Sequence, residues 1–108
     1  MDLMAAWLGQ LPADAGSFDW DSGNRAKSRT HGVEAEDIEA MLSHDMVLAG
    51  RIVDPPHEAS RWLILGLDVK GRRLALIATR RGDRLRPISC RPMRRSERAV
   101  HAEAIGRR

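Results

Sequence analysis

Apolar and polar residues change rhythm twice along this chain. Leu3, Trp7, Leu8 and Leu11 recur at helical spacing and predict a short amphipathic helix that covers part of a core or a partner. Pro12 to Ser17 is a run of small, turn-favouring residues that reads as a linker. Phe18-Asp19-Trp20 follows as a short strand. Asp21 or Ser22 can cap a helix running to about His31, where Gly32 offers a left-handed stop. A second helix fits residues 34–43. Its apolar positions Ala35, Ile38, Met41 and Leu42 fall on one stripe, and Glu34, Glu36 and Asp37 occupy its first turn, where the helix dipole favours acids.

Beyond Ser43 the period becomes extended, with residues 46–53, 61–67, 73–79 and 84–89 as four strands. Pro55-Pro56 ends the first strand, residues 68–71 link the second to the third, and Gly82-Asp83 links the third to the fourth. Links this short exclude crossovers and predict an antiparallel meander. Pro87 deletes a ladder donor inside the fourth strand, which argues for an edge or a bulge there. Residues 93–105 return to helical spacing, with Met93, Glu97, Val100 and Ala104 on one side and Arg94, Arg95 and Arg98 nearer the other. The expected order is β-α-α-β-β-β-β-α. That is an α+β domain with helices packed on one face of a curved antiparallel sheet and the other face available.

At 108 residues, 43% hydrophobic and 31% charged, the chain suits one small domain preceded by an extension over residues 1–17. Charge sharpens the picture. Residues 1–54 hold four Lys/Arg against ten Asp/Glu, a balance of −6, while residues 55–108 hold fourteen against five, a balance of +9. Sixteen of the eighteen basic residues are arginine, whose planar fork suits phosphate, so nucleic acid is the leading partner class. The single cysteine, Cys90, excludes an intramolecular disulfide framework and fits a reducing cytosol. No apolar run is long enough to span a bilayer. Ala13-Asp14-Ala15 imitates a cleavage site, but the chain opens with Asp2 rather than positive charge, so a secretory signal is not expected and a cytoplasmic location is.

His31, His44, His57 and His101 lie far apart and form no ligand spacing, so neither a metal site nor a cofactor is expected. Glycine-rich phosphate loops and Gly-x-Ser-x-Gly elbows are also missing. Arginine remains. The strands supply Arg61, Arg73, Arg80, Arg81, Arg84 and Arg86, and the last junction adds Arg91, Arg94 and Arg95. Such a set can cleave RNA without a metal if the 2′-hydroxyl is deprotonated, cations hold the phosphorane charge and the 5′ oxygen is protonated. His31, at a helix end beside Arg29, is the best histidine for proton transfer, with a helix cap as its structural alternative. Glu97 is the natural carboxylate, with an ion pair to Arg94 or a neighbour as its alternative. Lys27 and Arg29 on the first helix extend the expected RNA-binding set of Arg80, Arg84, Arg86, Arg94 and Arg95.

Three stretches then resemble the BrnT family of bacterial type II toxins. They are Phe18-Asp19-Trp20-Asp21 with Asn24-Arg25-Ala26 and His31-Gly32-Val33; Arg61-Trp62 leading to Gly66; and residues 79–98, with Thr79, Arg81-Gly82-Asp83, Leu85-Arg86, Ile88-Ser89, Arg91 and Glu97-Arg98. The resemblance runs from Phe18 to about His101 and makes residues 18–108 the toxin domain. It implies a RelE-like fold and a metal-independent endoribonuclease that arrests translation. It also implies a BrnA-type antitoxin with a ribbon-helix-helix domain, a two-plus-two complex, and contact with operator DNA only through that antitoxin. Its implied site comprises His31, Arg61, Arg81, Arg86, Arg91 and Glu97. A rival reading is a non-catalytic basic module that binds RNA or an acidic partner protein.

Overall fold

The computed structural model describes residues 3–10, 15–44, 46–52 and 60–107. Leu11, residues 12–14, Val53, the Pro55-Pro56 break and His57 lie outside them. Strands β1 (Met46–Ile52), β2 (Arg61–Leu67), β3 (Arg73–Arg81) and β4 (Arg84–Pro92) pair in chain order, every pair antiparallel. The meander expected from the short links is the sheet observed. Gly82, at φ +64°, supplies the left-handed residue that the tight β3–β4 turn requires.

Pro87 satisfies both expectations for a proline in a strand. It lies in the last strand of the sheet, and the ladder skips Ile88 there, because Ile77 pairs with Ser89 while Ala78 pairs with Pro87. The missing donor falls at a break in the ladder. The Phe18-Asp19-Trp20 strand is reduced to a single parallel bridge between Phe18 and Leu85, with the Asp19 N–H donating to the Leu85 carbonyl at 2.9 Å. Asp21 already begins the cap of the next helix, which leaves no room for a longer strand.

Helix α1 (Leu3–Gln10) buries Met4 and Leu8 and packs Trp7 against the core. Leu3 stays 82% exposed, so the apolar stripe is carried by Met4 rather than by Leu3. Helices α2 (Ser22–Arg29) and α3 (Ala35–Leu42) follow, and α3 buries Ala35, Ile38 and Met41 on the expected stripe. Phe18, Val33, Ile38, Met41, Ile64, Leu74, Leu76, Ala78 and Leu85 form the main core with Met4 and Leu8. Strand alternation explains the membership: Leu74, Leu76 and Ala78 are every second residue of β3.

The opposite parity makes a second, smaller cluster of Leu65, Ala75 and Met93, with Val47 and Leu63 against it. Helix α4 (Arg95–Gly106) lies over that second face, against β1 and β2. Leu63 and Leu65 would otherwise face water, so α4 covers one end of the face and leaves the other end open. Met93, expected in this helix, instead prolongs the ladder through its N–H to the Arg73 carbonyl at 2.9 Å. Among the described residues no helix is long and apolar enough to cross a membrane.

Candidate nucleic-acid interface

Arginines reach one patch because of the strand period. In β3 Ala78 points into the core, so Thr79 and Arg81 share the second face. Arg86 of β4 lies directly opposite Thr79, while its neighbour Leu85 fills the core. In β2 Trp62 packs on the core and Arg61 takes the other parity. Helix α2 runs beside β4 and closes the side. The result is an open cavity of about 410 Å³ lined by Arg61, Thr79, Arg81, Arg86, Ile88 and, from α2 and its cap, Asp21, Gly23, Asn24 and Lys27.

Asn24 fixes this wall. Its buried side-chain amide donates to the Asp19 carbonyl at 2.9 Å and the Pro87 carbonyl at 2.8 Å, and its Oδ1 accepts the Asp21 N–H at 2.8 Å. The Asp21 carboxylate returns the cap by accepting the Asn24 N–H at 2.9 Å. Arg86 Nη2 then donates to Asp21 Oδ2 at 2.6 Å, and Arg81 Nη1 to Asp19 Oδ2 at 3.1 Å. The Asn24 N–H and the Arg86 guanidinium together hold the Asp21 carboxyl below its ordinary value of 3.8. Arg61 and Lys27 pair with no carboxylate among the described residues. Among the described residues, four cations against one lining carboxylate leave the cavity positive.

The other expected site residues are elsewhere. His31 is exposed in the turn after α2, and the next carbonyl, of Gly32, accepts from Arg72 Nη1 at 2.9 Å at the far end of the sheet. Arg91 and Glu97 form a bidentate pair at 2.7 and 2.9 Å, 17% and 11% exposed, beneath the start of α4. Arg91 and the Arg94 N–H hold the Glu97 carboxyl below its ordinary range, so its ion pair is with Arg91, six residues back, rather than with Arg94. Arg29 pairs with Glu34, and Arg80 stacks over the Trp7 ring at 4.3 Å. Arg84 is exposed at the start of β4, and Arg94 and Arg95 are exposed at the start of α4. Only Arg61, Arg81, Arg86 and Lys27 of the expected set line the cavity.

Three lining residues escaped the sequence reading as chemistry: Asp21, Asn24 and Thr79. Asp21 and Asn24 carried a signal, the Asp-x-x-Asn spacing of a reciprocal helix cap, but that spacing speaks of helix formation alone. Burial pushes the Cys90 thiol up to about 12, so Cys90 is an inert core residue. Among the described residues no three His, Cys, Asp or Glu side chains assemble into a metal-binding group.

The fold is thus a small α+β domain whose meander carries an open, arginine-lined cavity. Over residues 20–97, most of its length, the chain matches the family described as ribonuclease toxin, BrnT, of type II toxin-antitoxin system, and it belongs to that family. No curated protein matches it. Family membership makes it a ribonuclease toxin, of a class defined by a neutralising antitoxin.

Proposed function

We propose that the cavity binds the scissile phosphate of RNA and cleaves the chain without a metal, by attack of the 2′-hydroxyl. Arg61, Arg81 and Arg86 hold the phosphate and the charge that grows on it in the phosphorane, because forked guanidinium donors match its oxygens in pairs. The Thr79 hydroxyl is committed to the Ser60 carbonyl at 2.6 Å, so its methyl and backbone shape the floor between them. Lys27 on α2, with Arg84 at the hairpin, steers the flanking backbone. His31 and Glu97 stand outside the cavity, Glu97 in its pair with Arg91.

The observation that carries this reading is the convergence of Arg61, Arg81, Arg86 and Lys27 on one cavity from three strands and a helix. Cleavage of messenger RNA would arrest translation in the cytoplasm. A BrnA-type antitoxin with a ribbon-helix-helix domain would neutralise it in a two-plus-two complex, place acidic side chains over the cavity, and alone contact operator DNA. The test is cleavage of a labelled RNA by the wild type and by Arg81→Ala. The proposal expects the variant to lose cleavage by about 10²-fold or more while binding weakens only several-fold. Binding with no turnover in the wild type would favour the non-catalytic module.

A further inference from the structure

Attack by a 2′-hydroxyl needs a group to take its proton, and among the described residues the cavity is lined by one carboxylate, that of Asp21. We propose that Asp21 is the general base of the cleavage. This rests on the cavity being the RNA-cleaving site, and it names the proton acceptor that neither the family match nor the arginines supply.

The geometry is specific. Asp21 Oδ1 is occupied by the Asn24 N–H, and Oδ2 accepts Arg86 Nη2 at 2.6 Å, with the side chain 49% exposed. A carboxylate has about four acceptor sites, so Oδ2 keeps a lone pair for a further proton. Arg86 touches this carboxylate and lines the same cavity, so a phosphate held by Arg86 brings its ribose to Asp21. Asp19 pairs with the same arginines but does not line the cavity.

In the step, the 2′-hydroxyl proton passes to Asp21 Oδ2 as the 2′-oxygen bonds to phosphorus. The bond from phosphorus to the 5′-oxygen breaks, and that oxygen leaves with a proton from solvent. A 2′,3′-cyclic phosphate and a 5′-hydroxyl result, and Asp21 returns its proton to water. The hydrogen bonds on Asp21 keep it ionised well into acid, so the base stays competent at pH 5.

The test measures single-turnover cleavage against pH, and affinity for a 2′-deoxy RNA that cannot react, for the wild type, Asp21→Asn, Asp21→Ser and Arg81→Ala. Asn and Ser both cap helices, which preserves α2. The expected result is a 10²- to 10³-fold loss of rate in both Asp21 variants, with deoxy-RNA affinity kept or raised by the lost negative charge. The wild-type rate should hold from pH 7 to pH 5, where an imidazole base would have failed below about 6.5. Asp21→Asn cleaving within threefold of the wild type, while Arg81→Ala is dead, would overturn the base and leave the cavity reading standing. Equal losses of binding and rate would also overturn it, making Asp21 a cap only. If Arg81→Ala cleaves like the wild type, the cavity reading falls, and this inference with it.

Discussion

Asn24 uses every hydrogen-bonding atom of its side chain, and it does so while buried. Two carbonyls from opposite ends of the chain, Asp19 and Pro87, depend on its amide. Asn24→Ala would leave both without a partner and should cost about 1–3 kcal/mol, read as a lower urea midpoint. Because the same residue holds the Asp21 cap, RNA affinity should fall with stability rather than independently of it. The cap was legible in the sequence, since Asp21 and Asn24 stand three apart at a helix start. The bond to Pro87 was not, because nothing local to Asn24 speaks of a residue 63 positions away. Likewise Glu97 reads as a proton carrier or, somewhat more readily, as an ion-pair partner of a neighbour on its own helix, and nothing local points to Arg91, which grips it through both oxygens from the end of another element.

Elements were more legible than their placement. The turn at residues 68–71 could be read from its composition, yet its hydrogen bonds reach well beyond the hairpin. Asp68 accepts from the Lys70 and Arg72 N–H groups and from Arg72 Nε, and Arg72 continues to Asp37 on α3 and to Gly32 after α2. This clamp explains where His31 went. Helix α2 lines the cavity as far as Lys27 and then runs on, and Arg72 fastens the turn after it at the other end of the sheet. The packed side of α4 was less plain, since the stripe read through Val100, which is exposed, whereas His101 is the residue the helix buries. Burial raises the Asp68 carboxyl, but the hydrogen bonds from the Arg72 backbone and guanidinium outweigh it and hold the group below 3.8. Glu97 is held below 4.5, by Arg91 first. Groups with depressed folded values contribute stability that is complete above their unfolded values and is lost as pH falls through the folded ones. Urea midpoints should therefore stay level from pH 7 to about 5 and drop below about 4, and Asp68→Asn should flatten that drop while lowering the plateau.

Across the whole molecule, the acidic first half and the basic second half meet in the fold. Asp19 pairs with Arg81 and Arg86, Asp21 with Arg86 and Asp37 with Arg72, so first-half acids answer second-half arginines. Charge counting along the chain shows the dipole but not which arginines remain for a ligand, because that depends on strand parity and on the seat of α2. The cavity keeps Arg61 and Lys27 beside the two arginines that share a carboxylate. With three to four phosphate contacts, log affinity for single-stranded RNA should fall against log salt with a slope of about −2 to −3. Arg81→Ala should make that slope shallower by about 0.7. The most direct measurement is of the fragment ends produced from a defined RNA in excess EDTA. Metal-free attack from the arginine cavity predicts 2′,3′-cyclic phosphate and 5′-hydroxyl termini from the wild type and none from Arg81→Ala. Cleavage that EDTA abolishes, or fragments carrying 5′-phosphate, would contradict it.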